Sequence, residues 1–122
     1  MTNAERLPIL LVDDDDTILN SVEYLLTDEG YSVIVAANGR EALKRVSEQP
    51  PSLILLDMKM PVMDGWAFTA AYRELPGPHA PIIVMTAAHN SGMRAAEISA
   101  DDFIAKPFDI VDLLDMVRKY IA

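Results

Sequence analysis

The chain has 122 residues, of which 51% are apolar, and it carries a net charge of −9 with no cysteine. This size and apolar content suit one domain over residues 1–122, with residues 1–6 as a flexible start, and they exclude disulfide and thiolate chemistry. The negative charge argues against direct nucleic-acid binding, and the absence of a secretion signal and of an apolar run of roughly 18 residues favours a cytoplasmic protein without a membrane partner.

Short apolar runs alternate with amphipathic stretches along the chain, which is typical of strands alternating with helices. In chain order the pattern predicts strand 8–12, helix 16–29, strand 31–36, helix 39–48, strand 52–56, helix 65–75, strand 82–85, helix 90–99, strand 102–105 and helix 109–121. Because the strands are continuously apolar, five such units indicate a parallel sheet covered by helices on both faces.

Polar side chains that could take part in catalysis or binding follow four of these strands. Asp13 and Asp14 follow the first, Asp57 the third, Thr86 the fourth and Lys106 the fifth. In open parallel sheets, ligands bind beyond the carboxyl ends of the strands, so we expect these side chains to converge at one edge.

Three carboxylates at one edge need compensating positive charge. Two unit charges at about 4 Å repel by roughly 4 kcal/mol at an effective dielectric of 20. A hard divalent cation such as Mg²⁺, together with Lys106, would offset this repulsion and could hold an anionic phosphoryl group beside the Thr86 hydroxyl. A carboxylate is an accepted covalent nucleophile in such chemistry, so Asp57 is a candidate nucleophile.

Each of these residues also has a structural interpretation. Asp13 and Asp14 can be loop acids, Asp57 a turn former, Thr86 a structural hydroxyl and Lys106 a solvated lysine. Asp15 or Asp16 is best interpreted as the N-cap of the first helix, and Asp64-Gly65 as a turn or helix start. The functional interpretation is favoured because the structural ones would all have to hold together at one sheet edge.

Four stretches carry a resemblance to a known family. They are Ile9-Leu10-Leu11-Val12-Asp13-Asp14, Leu56-Asp57-Met58-Lys59-Met60-Pro61-Val62-Met63-Asp64-Gly65, Ile83-Val84-Met85-Thr86-Ala87 and Ala100-Asp101-Asp102-Phe103-Ile104-Ala105-Lys106-Pro107-Phe108. Over nearly its whole length the chain resembles the receiver domain of two-component response regulators. The resemblance implies a flavodoxin-like three-layer α/β/α sandwich with a five-stranded parallel sheet of order 2-1-3-4-5.

The resemblance also implies site roles and a cofactor. Asp57 would be the phosphoacceptor. Mg²⁺, with Mn²⁺ as an alternative, would be held by Asp13, Asp14, Asp57 and the backbone carbonyl of Lys59. Thr86 and Lys106 would contact the phosphoryl oxygens, Phe103 would be the switch aromatic that follows Thr86, and the Lys106-Pro107 bond would be cis.

The implied partners are a sensor histidine kinase or a histidine phosphotransfer protein. A downstream protein, or a second copy, would bind through the fourth helix, fifth strand and fifth helix. Such a chain would be a signalling receiver rather than an enzyme, with only self-phosphorylation and slow autodephosphorylation, and we expect no output domain in it.

One departure from the family concerns the segment between Thr86 and Lys106, which is about two residues shorter than usual. Ser99-Ala100 stands where the family usually has Gly-Ala. We therefore predict a short fourth helix.

Three alternatives differ from a working receiver. A degenerate receiver would only bind proteins. An aspartate-nucleophile phosphatase would use Asp-x-Asp after the first strand. A flavodoxin-like cofactor binder would need a phosphate-cradling loop where this chain has four aspartates.

Overall fold

The computed structural model describes residues 7–87 and 91–121, without the side chain of Ser91. Strands and helices alternate along the whole described chain. In order they are β1 (Ile9–Val12), α1 (Asp16–Asp28), β2 (Val33–Ala36), α2 (Gly39–Glu48), β3 (Leu53–Asp57), α3 (Gly65–Glu74), β4 (Ile82–Ala87), α4 (Ser91–Glu97), β5 (Asp102–Lys106) and α5 (Ile110–Tyr120). The ten predicted elements are all present, with ends that differ by at most two residues, and Asn90 of the predicted fourth helix lies outside the described residues.

The five strands form one parallel sheet of order β2-β1-β3-β4-β5. The predicted flavodoxin-like three-layer sandwich is therefore confirmed. The strand order changes direction around β1 and β3, because β2 lies on one side of β1 whereas β3, β4 and β5 follow on the other. This reversal opens a cleft at the carboxyl ends of β1 and β3.

Helices cover both faces of the sheet, as the continuous apolar strands predict. One apolar cluster joins α2, α3 and α4 to one face through side chains such as Phe68 and Ile98. The other joins α1 and α5 to the opposite face through side chains such as Leu26 and Leu113. No helix within 7–87 and 91–121 is long and apolar enough to cross a bilayer.

Short polar side chains begin four of the helices. The Asp15 carboxylate accepts from the backbone amides of Thr17 and Ile18 at the start of α1, and Asp64 accepts from Ala67 at the start of α3. Asn38 and Asp109 cap α2 and α5 in the same way. Such caps satisfy backbone donors that lack partners inside the helix. The predictions for Asp15 and for Asp64-Gly65 are thus confirmed.

Helix α4 is short, as predicted, and its carboxyl end is held by α3. It spans seven residues, and Ser99 just beyond it adopts a left-handed φ of 53°. The Arg73 guanidinium of α3 donates to the carbonyl of Ile98 and, at 3.0 Å, to that of Ser99. A cation at these carbonyls also complements the helix dipole. The Arg94 guanidinium lies 5.1 Å from the centre of the Trp66 ring, which adds a second α3–α4 contact.

Candidate functional site

The strand register brings the predicted site residues to one edge of the sheet. Val12 of β1 lies opposite Leu56 of β3, so Asp13 and Asp57 follow at the same level. Asp57 in turn lies opposite Met85 of β4, one residue before Thr86. Asp57 and Lys106 are the last residues of β3 and β5, and Thr86 is the penultimate residue of β4, rather than the first residues after these strands. The predicted convergence is therefore observed for the side chains of Asp13, Asp14, Asp57 and Lys106, and the register places Thr86 at the same edge.

Three carboxylates form the centre of the site. Asp13, Asp14 and Asp57 each offer one carboxylate oxygen, and these three oxygens lie within 4.8 Å of one another. Asp13 is fully buried and Asp57 is 7% exposed, whereas Asp14 is open to solvent. Because burial weakens screening by water, the negative charges of Asp13 and Asp57 repel each other strongly.

Lys106 offsets part of this negative charge, but unequally. Its ammonium group lies 2.6 Å from Asp13 Oδ2 and 3.6 Å from Asp57 Oδ2. The other oxygen of Asp13 accepts a hydrogen bond from the backbone amide of Asp15 at 3.0 Å. Asp13 thus has a partner for each oxygen, and Asp57 has the weaker contact with the lysine.

The environment of Asp57 shifts its ionisation. The pKa of Asp57 is raised from 3.8 to about 6, first by burial of the carboxyl group and then by the negative charges of Asp13 and, to a smaller extent, Asp14. Lys106 and the backbone amide of Met58 lower it, but they do not cancel the increase. A pKa shift caused by burial and by neighbouring like charges is characteristic of functional carboxylates.

The two predicted switch residues lie on neighbouring strands. Thr86 is 7% exposed, whereas the Phe103 side chain is 44% exposed. The Phe103 ring faces Gly92 of α4, where an added Cβ would lie 3.5 Å from Phe103 Cζ. The aromatic ring is therefore in an outward position, in contact with the first turns of α4.

The loop that follows Asp57 is pinned at two points. The Gly65 amide donates to Met58 O and the Gly39 amide donates to Met63 O, each at 2.8 Å. A Cβ on Gly65 would lie 2.8 Å from Met58 Cα, and one on Gly39 would lie 2.7 Å from Met63 O. Glycine is required at both positions because the backbones approach too closely for any side chain.

Val62, at the outer end of this loop, was not predicted to have any special role. It has a left-handed φ of 72°, and the Met63 amide donates to Pro61 O at 2.8 Å, which closes a three-residue γ-turn around it. Left-handed backbone costs a non-glycine residue on the order of 1–3 kcal/mol, and a β-branched residue is a particularly poor fit. The Val62 side chain is 71% exposed. Nothing in the sequence signals this conformation, because valine favours strands.

The fold and the acidic cleft define a signalling module of the receiver type. The chain belongs to the response regulator receiver domain family, which residues 9–118 match. It is 36% identical over 123 residues to the "Uncharacterized 14.6 kDa protein in sodA1 3'region" of Leptolyngbya boryana, covering 98% of this chain and 94% of that protein. It is 38% identical over 112 residues to the transcriptional regulatory protein PrrA of Mycobacterium tuberculosis, covering 90% of this chain and 48% of PrrA. The chain thus spans about half the length of that regulator.

The fold is also similar to solved receiver structures. One is the receiver domain of the sensor histidine kinase PA1611 of Pseudomonas aeruginosa, with a TM-score of 0.85 and 32% identity over 95% of this chain and 98% of that one. That structure contains a magnesium ion coordinated in its active-site cleft. The likeness extends over nearly the whole of both chains, so it applies to the sheet, the helices and the cleft together.

Proposed function

We propose that this chain accepts a phosphoryl group on Asp57 from a phosphohistidine of a sensor kinase or phosphotransfer protein, and that the modified form regulates a partner. The observation that carries the proposal is the position of Asp57. It is a buried carboxylate within reach of two others and of one lysine, at the reversal point of the sheet. Membership in the receiver family supports the same interpretation.

The donor set fits Mg²⁺. All three side chains offer carboxylate oxygens, which hard divalent cations prefer, and their spacing within 4.8 Å allows one ion to contact all three. One lysine against three carboxylates leaves a local charge of about −2 that such an ion would neutralise. Asp13, Asp14, Asp57 and the backbone carbonyl of Lys59 would hold the ion, with Mn²⁺ as an alternative. When bound, the ion would neutralise charge on the phosphoryl oxygens.

In the proposed phosphoryl transfer, Asp57 is the nucleophile and Lys106 contacts the transferred group. An Asp57 oxygen bonds to phosphorus while the P–N bond to the donor imidazole breaks. The electron pair stays on the imidazole nitrogen, which takes up a proton. Lys106 already lies between Asp13 and Asp57, so a small movement of its ammonium group would reach the phosphoryl oxygens. Positioning and charge neutralisation account for most of the catalysis in such transfers.

A change at Thr86 would carry the signal outward. The new phosphoryl oxygens are strong acceptors, and the Thr86 hydroxyl is the nearby donor on β4. If that hydroxyl moves toward them, space opens behind β4 for the outward Phe103 ring, which is 44% exposed. The surface of α4, β5 and α5 would change with it, and a downstream protein or a second copy would bind there. The phosphoryl group would thus shift an equilibrium between two conformations.

Labelling with a small phosphodonor tests the chemistry. We expect acetyl phosphate with Mg²⁺ to add one phosphoryl group to the wild-type chain and none to Asp57→Asn, as measured by intact-mass spectrometry. A degenerate receiver would leave both proteins unmodified. An aspartate-nucleophile phosphatase would consume donor over many turnovers without accumulating the adduct. Equal labelling of both proteins would show that Asp57 is not the acceptor.

A further inference from the structure

Val62 combines two properties that internal packing does not explain. Its backbone is held in the left-handed region, which disfavours valine, and its side chain is 71% exposed. An asparagine or glycine would fit this turn with less strain. The backbone conformation of the turn therefore does not favour valine, and little of the side chain contacts the rest of the domain.

The position of this side chain is nevertheless fixed. Met63, next to it, is tied to α2 through the Gly39 amide, and the loop is tied again where the Gly65 amide donates to Met58 O. The γ-turn closes between these two anchors. Val62 is thus an apolar side chain held rigidly on the loop that starts at Asp57, and the neighbouring Pro61 is exposed as well.

We propose that Val62 is a specificity-determining docking residue for the protein that delivers phosphohistidine to this chain. The inference rests on the proposed function and names the contact that a protein donor makes and a small donor does not. Asp57 is 7% exposed, so a protein that brings its phosphohistidine to this carboxylate must also cover the loop that begins there.

Charge explains why an apolar contact is needed. The cleft carries three carboxylates against one lysine, so even a bound divalent cation would only bring it close to neutral, and a phosphohistidine is itself an anion. Long-range attraction therefore does not favour approach of the donor, and affinity has to come from surface buried outside the cleft. An exposed and rigid valine supplies such surface without loss of loop entropy on binding.

Three substitutions separate the apolar contact from the strain. Val62→Thr keeps the shape, the β-branching and the strain but replaces a methyl group with a hydroxyl. Val62→Asn relieves the strain and also removes the apolar surface. Val62→Ile keeps both the strain and the apolar surface. Leu7→Asn is the matched control, because Leu7 is 48% exposed and precedes β1, at the sheet edge opposite the cleft.

The measurement compares two donors. For the first, a panel of the source organism's histidine kinases is tested on the wild-type chain, and the fastest phosphodonor is chosen. Its autophosphorylated catalytic core is then used as the protein donor. The other is phosphoramidate, a small donor that has the same P–N bond but no protein surface. For the kinase we expect Val62→Thr and Val62→Asn to raise the apparent KM about tenfold, with kcat within about twofold. Phosphoramidate labelling should stay within about twofold of wild type for every variant.

The controls set the limits of the proposal. Val62→Ile and Leu7→Asn should keep the wild-type KM, and Val62→Asn alone should raise the melting temperature. An unchanged KM for Val62→Thr and Val62→Asn, or wild-type labelling by phosphoramidate but by no kinase of the panel, would overturn the docking role. Failure of both phosphoramidate and every kinase of the panel to label the wild type would instead refute the proposed function itself.

Discussion

Replacing Asp57 with asparagine should stabilise the metal-free protein at neutral pH. The pKa of Asp57 is raised in the folded state, mainly by burial, so the folded protein binds this proton more tightly than the unfolded chain. The favourable contribution of the protonated carboxyl is complete below the unfolded pKa of 3.8 and is lost as the pH rises through about 6. Above that pH the folded state contains an ionised carboxylate that the unfolded chain would solvate better.

The structure sets the size of this effect. A pKa rise from 3.8 to about 6 corresponds to about 3 kcal/mol between the two ends of the titration, at about 1.36 kcal/mol per unit. The free energy of unfolding of Asp57→Asn, relative to that of the wild type, should therefore increase by up to about 3 kcal/mol from pH 3.8 to above pH 7. For a domain of this length, that is a melting-temperature difference of roughly 10 °C.

Urea unfolding in the presence of a chelator, at a series of pH values between 4 and 8, measures this difference. Asp28→Asn is the control, because Asp28 is an exposed carboxylate on α1 outside the cleft. Its free-energy difference from wild type should change little with pH. If the advantage of Asp57→Asn is the same at pH 4.5 and pH 7.5, burial and the neighbouring carboxylates do not raise the pKa of Asp57, and the reasoning fails.

Three further outcomes follow from the site. Millimolar Mg²⁺ should raise the melting temperature of the wild type, because the ion binds the native state, and it should raise that of Asp14→Ala much less. Equal responses would mean that the ion binds elsewhere. Gly65→Ala should destabilise the fold by about 2 kcal/mol in urea unfolding, because its Cβ would lie 2.8 Å from Met58 Cα; wild-type stability would contradict the close approach. Beryllofluoride should change amide exchange across 91–99 and at Phe103 but not in α2, and a change confined to the cleft loops would argue against switching.

Most of the fold could be predicted because periodicity alone decides it. Continuous apolar strands such as Leu53–Asp57 require helices on both faces, and the parallel arrangement then places every strand's carboxyl end at one edge. The grouping of Asp13, Asp57 and Lys106 follows from that arrangement, so the site could be predicted without knowing any side-chain distance. The strand order, by contrast, came from the family resemblance.

Other features depend on contacts between segments that are distant in sequence. The preference of Lys106 for Asp13 over Asp57, 2.6 Å against 3.6 Å, reflects side-chain geometry that spacing does not encode. The left-handed turn at Val62 is imposed by the anchors on either side of it, against the residue's own preference. Arg73 was likewise not singled out, since nothing marks a helix-surface arginine as the partner of a neighbouring helix's carbonyls.

The Arg73 contact has a consequence for how α4 can move. With the carbonyls of Ile98 and Ser99 tethered, that end of the helix acts as a hinge point, and any displacement becomes a tilt that grows toward the first turn. A seven-residue helix is about 10 Å long, so a tilt of roughly 10° moves its first turn by about 2 Å while its last turn stays in place. The first turn is where Gly92 meets Phe103, so such a tilt would change the contact between α4 and the aromatic ring.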